Sequence, residues 1–517
     1  MQDDGVPLPA KQQMQTGIQG LDDILRGGLT PGRLYLVEGD PGAGKTTLAL
    51  QFLLAGVDAG ESTLYVTLSE TKHEIEEVAH SHGWSLEGMH IHEMAPTGES
   101  LDAESQLTMF HPSELELTET TQAVLAEVER LKPQRVVFDS LSEMRLLAQN
   151  PLRYRRQVLG LKQFFAGKGT TVFLLDDRTG PGEDGQLQSI AHGVILLEKL
   201  ATGYGAERRR LLVRKMRGVA FRGGYHDLVI RTGGLDVFPR LVAAEHHADF
   251  GDTEVPSGNV GFDKLLLGGL PSGSSTLLIG PAGVGKSTIA LQCALTTASA
   301  GGRAALFIFD ETIGTLRTRA RKLGMPLDAC MADHSVTVQQ VDPAELSPGE
   351  FAAQVRAASE GRDASGRPAK LILIDSLNGY LHSMSDEKYL TAQLHELFTY
   401  LNQRGVVTLV TVTQSGMIGS NMRSPADTTY LADNVILFRY FEAGGRIRRA
   451  ISVAKKRAGP HETTIREYRI TSEKGVEIGE PLEQFQGLLT GTPRFIGKVD
   501  ALIGSDQVNA LDKGDDD

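Results

Sequence analysis

Cysteine is almost missing from this chain: Cys293 and Cys330 are the only two in 517 residues, so a disulfide framework and a cysteine-rich zinc site are both excluded. Long apolar runs are missing too, and none is long enough to span a bilayer. The first twenty residues carry neither an apolar run nor a basic leader, so no secretory signal is expected and a cytoplasmic location is. Basic charge is also scarce. The formal net charge is -13, whereas a protein that coats DNA normally shows a basic footprint, because phosphate neutralisation supplies most of that binding.

What remains is the composition of a soluble globular protein, 40% hydrophobic and 23% charged, at a length that suits two domains better than one. The chain also repeats itself. TGIQGLDDILRGGLTPG begins at Thr16 and SGNVGFDKLLLGGLPSG at Ser257. The same offset of 241 separates Lys45 from Lys286 and Glu70 from Glu311, while Lys215 and Lys455 stand 240 apart. An offset held over most of each half means that a whole domain is duplicated, which is far longer than a solenoid repeat. The expected domains are 15–244 and 257–490, joined by a polar linker over 245–256. Residues 1–14 are expected to be a flexible N-terminus, and 491–517 a C-terminal tail ending in DKGDDD.

Within each half, short β-branched runs alternate with helical segments, predicting an α/β fold with a mostly parallel sheet covered on both faces. Ligands of such sheets bind at the carboxyl ends of the strands. Polar motifs cluster there. GDPGAGKT comprises Gly39, Asp40, Pro41, Gly42, Ala43, Gly44, Lys45 and Thr46, followed by Thr47. GPAGVGKS comprises Gly280, Pro281, Ala282, Gly283, Val284, Gly285, Lys286 and Ser287, followed by Thr288. Both fit the phosphate-loop pattern, in which glycines let backbone N–H groups turn toward phosphate oxygens, the lysine neutralises the β and γ phosphates, and the hydroxyl ligates Mg²⁺. One such match could be an ordinary glycine-rich turn; two at the spacing of the duplication make ATP the expected ligand.

A Mg-ATP site also needs a carboxylate at a strand end, and Asp139 in RVVFDS and Asp375 in LILIDS fit. An acidic residue there otherwise forms a turn or caps a helix, a role Ser140 and Ser376 can equally fill. Glu70 and Glu311 are the candidates for orienting or deprotonating the attacking water, against the plainer reading of solvated loop carboxylates.

With these motifs in hand the chain resembles the KaiC family, whose members are circadian clock ATPases and kinases. The likeness runs from about Gln15 to about Arg494 and includes the GGL-x-x-G lead-ins, LKQFFAGKGTTV, DNVILFRYFE and IREYRITSEKG. It implies two tandem RecA-like P-loop NTPase domains, a double-ring homohexamer with ATP between subunits, and serine/threonine autokinase activity. It also implies that Lys215 and Arg217 of KMR, and Lys455 and Arg457 of KKR, reach into a neighbour's ATP; the plainer alternative is a basic strand facing solvent or nucleic acid, as RRR at 208–210 also suggests.

Three features depart from the family pattern. Family members usually carry two adjacent glutamates after the second strand; here the first position is Ser69 in one half and Asp310 in the other, so Glu70 serves alone and Asp310 joins Glu311 as a catalytic candidate. The family's Ser-Thr phosphoacceptor pair corresponds to Thr429 and Tyr430, leaving Thr429 as the acceptor. In the tail only GTPRFIGKVD is similar, which argues against regulation by KaiA and leaves room for a KaiB-like partner at the first ring. The competing readings are a RecA-like recombinase or helicase acting on DNA, which the acidic balance disfavours, and a scaffold that ATP assembles with little turnover.

Overall fold

The computed structural model describes residues 13–94, 112–148, 150–178, 185–201, 205–342, 344–383, 389–414, 429–443, 445–472, 475–488 and 494–496. The chain divides into two compact units, Met1–Arg240 and Leu241–Asp517.

In the first unit the strands are β1 (Leu34–Gly39), β2 (Thr63–Thr67), β3 (Met89–Glu93), β4 (Arg135–Asp139), β5 (Thr171–Asp177), β6 (Gly193–Leu200), β7 (Arg208–Met216), β8 (Tyr225–Arg231) and β9 (Gly234–Phe238). They form one nine-stranded sheet in the order β3-β2-β4-β5-β1-β6-β7-β8-β9. Pairing is parallel from β3 through β6 and antiparallel from β6 through β9. The central strands are apolar throughout because both faces are covered. Tyr35, Val37 and Phe173 pack into one hydrophobic cluster; Leu36, Val172 and Leu174 face another.

The second unit opens with two short paired strands, β10 (Glu254–Val255) and β11 (Leu270–Pro271). Its main strands are β12 (Ser275–Gly280), β13 (Ala304–Ile308), β14 (Val336–Gln340), β15 (Leu371–Asp375), β16 (Val407–Thr413), β17 (Asn434–Ala443), β18 (Arg446–Lys456), β19 (Arg466–Thr471) and β20 (Gly475–Pro481). Their order, β14-β13-β15-β16-β12-β17-β18-β19-β20, repeats that of the first sheet strand for strand. These are the two RecA-like α/β domains expected from the alternating pattern. Among the described residues no helix is long and apolar enough to cross a membrane.

The stretch read as a linker lies packed along the second unit. Just before it Ala243 N donates to Glu396 Oε2 at 3.0 Å; within it His246 stacks edge-on against Tyr400 and Ala248 N donates to the Gln403 carbonyl. The Phe250 ring fills the space that side chains at Gly273 and Gly405 would need. At the termini, residues 1–12 and nearly all of the tail lie outside the described residues. Met14 pairs with Leu29 in an isolated bridge, and Arg494–Phe495 forms a short strand with Phe485–Gln486.

Candidate functional site

Each phosphate loop leaves the carboxyl end of a central strand and runs into a helix, Lys45–Asp58 in the first unit and Lys286–Ser299 in the second. The glycines are there for two separate reasons. Gly42, Gly44, Gly283 and Gly285 adopt φ values of 73°, 108°, 73° and 113°, a region that L side chains avoid. Gly39 and Gly280 instead lie so close to the next strand that a Cβ would meet the Leu197 or Phe438 carbonyl oxygen at 2.7 and 2.5 Å. Ala43 and Val284 are fully buried and pin the loops to their cores, as Thr47 and Thr288 do one turn into the helices. Gly44 and Gly285 occupy the helix N-caps and offer no side-chain cap, which leaves the first helical N–H groups for an anion.

Both lysines are buried and folded back over their loops. Lys45 Nζ donates to the Gly39 and Asp40 carbonyls at 3.1 Å each. Lys286 Nζ donates to the Gly280 and Pro281 carbonyls at 2.8 Å each. Lys45 also forms an ion pair with Asp177 Oδ1 at 2.6 Å. Among the described residues Lys286 has no such carboxylate, and burial pulls its ammonium down to about 8 even though the Asp375 and Asp310 charges favour the protonated form.

Thr46 Oγ1 lies 3.3 Å from Asp139 Oδ2, and the phenol of Tyr65 donates to the same carboxylate oxygen. Burial raises the Asp139 carboxyl, against which the Tyr65 bond works. In the second unit the Thr411 hydroxyl donates to Asp375, and the Asp375 backbone carbonyl receives Phe309 N. Asp139 and Asp375 stand on β4 and β15, so one strand, β5 or β16, separates each from the phosphate-loop strand. A hydroxyl beside a carboxylate, with phosphates and water to complete the shell, suits Mg²⁺, which keeps much of its hydration and does not need a cage of protein ligands. Among the described residues no group of three or more His, Cys, Asp or Glu side chains could hold a metal ion.

The candidate bases are held differently in the two units. Glu70 follows β2 in a tight turn where Thr67 Oγ1 accepts from Glu70 N at 3.0 Å and donates to the Glu70 carbonyl at 2.7 Å. A capping box between Thr71 and Glu74 starts the next helix at Lys72, so the position of Glu70 is fixed from both sides. Its Oε2 is buried and has no hydrogen-bond partner among the described residues. Burial raises the Glu70 carboxyl, and the nearby Asp139 charge adds to the shift. Glu311, by contrast, is ion-paired with Arg319, whose other nitrogen lies 3.5 Å from Thr288 Oγ1. Burial raises the Glu311 carboxyl and Arg319 opposes the shift. Asp310 accepts from the Ser376 hydroxyl, which also receives Gly379 N at 3.3 Å.

The basic motifs sit at the other end of the sheet from their own phosphate loop. Lys215 is opposite Val194 in β6, and Val194 is opposite Leu36 in β1, whereas the loop starts at Gly39. Lys455 is opposite Val435, which faces Leu277, three residues short of Gly280. That is about 10 Å along the strand toward its amino end. Lys215 Nζ donates to the Gln188 and Ala191 carbonyls at 2.6 and 2.9 Å, and Arg217 to the Ser189 carbonyl at 2.7 Å. Lys455 Nζ likewise donates to the Thr429 and Ala432 carbonyls at 3.1 and 2.7 Å, and Arg457 pairs with Asp433 at 2.9 Å. The RRR run is engaged locally: Arg209 reaches the Gly42 carbonyl and Glu207, and Arg210 pairs with Glu198 while stacking over Tyr225. Thr429 and Tyr430 are both exposed.

Sequence reasoning missed Asp177, Tyr65, Thr411 and Arg319. The only available signal was the acidic end of TVFLLDD, which does not say which of its two aspartates points at the loop. The other, Asp176, is buried and pairs with Arg145 at 2.6 Å.

Comparison with known proteins agrees with this architecture. The family model for the KaiC ATPase matches residues 14–242 and again 255–483. The chain is 28% identical over 495 residues to the circadian clock oscillator protein KaiC of Synechococcus elongatus, covering 94% of this chain and 92% of that protein. It is 27% identical over 493 residues to the protein of the same name from Thermostichus vulcanus, with the same coverage. For that of a Nostoc species the figures are 26% over 489 residues, with 93% and 92% covered. Two matches to one family model, each containing a phosphate loop and its strand-end carboxylate, make this chain a member of the KaiC ATPase family.

Proposed function

We propose that each unit binds Mg-ATP at its phosphate loop and hydrolyses it, and that the protein acts in signalling or timing as a ring-shaped homohexamer with serine/threonine autokinase activity. The observation that carries the hydrolytic reading is the convergence, in the first unit, of Lys45, the Thr46–Asp139 pair and the Oε2 of Glu70, unpartnered among the described residues, at one end of one sheet. Lys45 and the loop N–H groups bind the phosphates, and Thr46 and Asp139 would hold Mg²⁺. Glu70 accepts a proton from the attacking water, a task that its raised carboxyl suits. In the second unit Lys286, Ser287 and Asp375 take the same parts, with Glu311 and Asp310 as the carboxylates. Magnesium, when bound, would offset charge on the β and γ phosphates.

Assembly is supported by the location of Lys215, Arg217, Lys455 and Arg457 toward the amino end of the parallel strands, about 10 Å along the strand from the start of their own phosphate loop. A neighbour's ATP is the ligand that this geometry suits, and a cation supplied in trans stabilises charge on the transferring phosphoryl group. The autokinase reading rests on Thr429, whose exposed backbone carbonyl is tethered to Lys455 Nζ, so that acceptor and finger would arrive at a neighbouring ATP together. A KaiB-like partner at the first ring fits the same family role.

The test is ATP hydrolysis by the purified chain beside Lys45→Ala and Lys286→Ala, followed by phosphopeptide mass spectrometry. Turnover that falls in each variant, with phosphate on Thr429 only while Lys286 is intact, is the expected result. Turnover without any labelled residue removes the autokinase, and no turnover in the wild type removes the hydrolase.

A further inference from the structure

The two phosphate-loop lysines differ in one neighbour. Asp177 closes β5 directly opposite Gly39 in the parallel register, which brings its Oδ1 to 2.6 Å from Lys45 Nζ. In the second unit the residue opposite Gly280 is Thr413, a neutral side chain. Asn378 bonds only the backbone N and O of Thr413, at 2.7 and 2.8 Å, so that side chain is not committed elsewhere through this pair. The difference therefore comes from one register position in otherwise matching sheets.

The Asp177 carboxylate is aimed rather than incidental. Ser142 Oγ accepts from Asp177 N at 3.2 Å and lies 3.5 Å from Asp177 Oδ2, while Oδ1 faces the lysine. The lysine is only 8% exposed and the aspartate 30%, so the pair closes the inner side of the loop while the carboxylate keeps a route to water. A triphosphate needs the Lys45 charge, and it must take that charge from Asp177. Once displaced, the carboxylate stays beside the incoming phosphates and repels them until a divalent cation offsets the charge.

We propose that Asp177 is a resident counter-ion of Lys45, which nucleotide must displace, so that the first site binds nucleotide more weakly than its loop alone would and depends more strongly on Mg²⁺. The proposal rests on the reading that both loops take ATP. Asp177 is a positioning residue in this scheme, acting through Lys45.

The experiment uses the full chain carrying Lys286→Ala, so that the first site is read alone, titrated with a fluorescent N-methylanthraniloyl ADP with and without Mg²⁺. Asp177→Asn and Asp177→Thr, the latter restoring the second unit's residue, are each expected to tighten binding without Mg²⁺ on the order of tenfold, and less with it. Asp177→Glu should retain the parent affinity. Conversely, Thr413→Asp in a Lys45→Ala chain should weaken the second site. A gain of affinity cannot arise from structural damage. Unchanged or weaker binding in both neutral variants, or an equal gain in Asp177→Glu, overturns the proposal. Absence of binding in every chain, wild type included, instead overturns the nucleotide reading beneath it.

Discussion

Nucleotide binding at the second site should take up a proton in mildly alkaline solution. Lys286 is 5% exposed, its Nζ is held by two loop carbonyls, and no carboxylate lies within ion-pair distance among the described residues. Burial therefore dominates and brings the ammonium to about 8. At about pH 8.5 an ammonium of that strength is protonated in roughly one quarter of molecules, and at about pH 7 in roughly nine tenths. A bound triphosphate returns the group to full protonation, because the anion stabilises the charged form. Binding should then absorb about three quarters of a proton per site at the higher pH and about a tenth at the lower. Titration calorimetry in buffers of unlike ionisation enthalpy reads that number directly, and at the higher pH the nucleotide's own terminal phosphate is already ionised. Lys286→Arg, whose guanidinium stays charged throughout, should erase the uptake. Heats that do not depend on the buffer at the higher pH would show that burial does not govern this lysine.

Arg319→Val, which installs the side-chain type of Val78 found 241 residues earlier, should release Glu311 and raise second-site turnover by about threefold to tenfold; a fall would show that Arg319 orients the base instead. The first unit should weaken in acid through His226, which is buried between the Arg222 carbonyl and Arg240 N and depressed by that burial to about 4. The unfolded chain binds this proton below about pH 6.5 and the folded chain only below about 4, so up to about 3 kcal/mol of stability is lost between those values. Urea midpoints of the first-unit transition measured across that window should slope downward, and His226→Gln should flatten them.

The parts of the candidate site that were legible in the sequence are those for which chemistry demands neighbouring residues. Lys45 and Thr46 must be adjacent for one loop to wrap a phosphate, so the motif survives as a string, and its duplication is visible as an offset. Asp139 and Asp375 were legible because a charge at the end of an apolar run is conspicuous. The contacts that set the two sites apart were not. Asp177 meets Lys45 only because β5 inserts between β4 and β1, and strand order is decided by how helices cover the sheet, not by any local pattern. Arg319 reaches Glu311 from the far side of a helix turn, a meeting the charges alone do not announce. The polar run 245–256 reads as a connector because its anchoring comes from backbone groups and from Phe250, which a count of polar residues overlooks.

One consequence of the sheet geometry is genetic. In the proposed hexamer, where KMR and KKR, remote from their own phosphate loops, would serve a neighbour's ATP, a lesion in either motif would be felt next door. A cell making both a loop-defective allele and a finger-defective allele could rebuild intact sites wherever a sound loop meets a sound finger. The two kinds of allele would complement, and a finger allele expressed beside the wild type would act as a dominant poison in proportion to its dose.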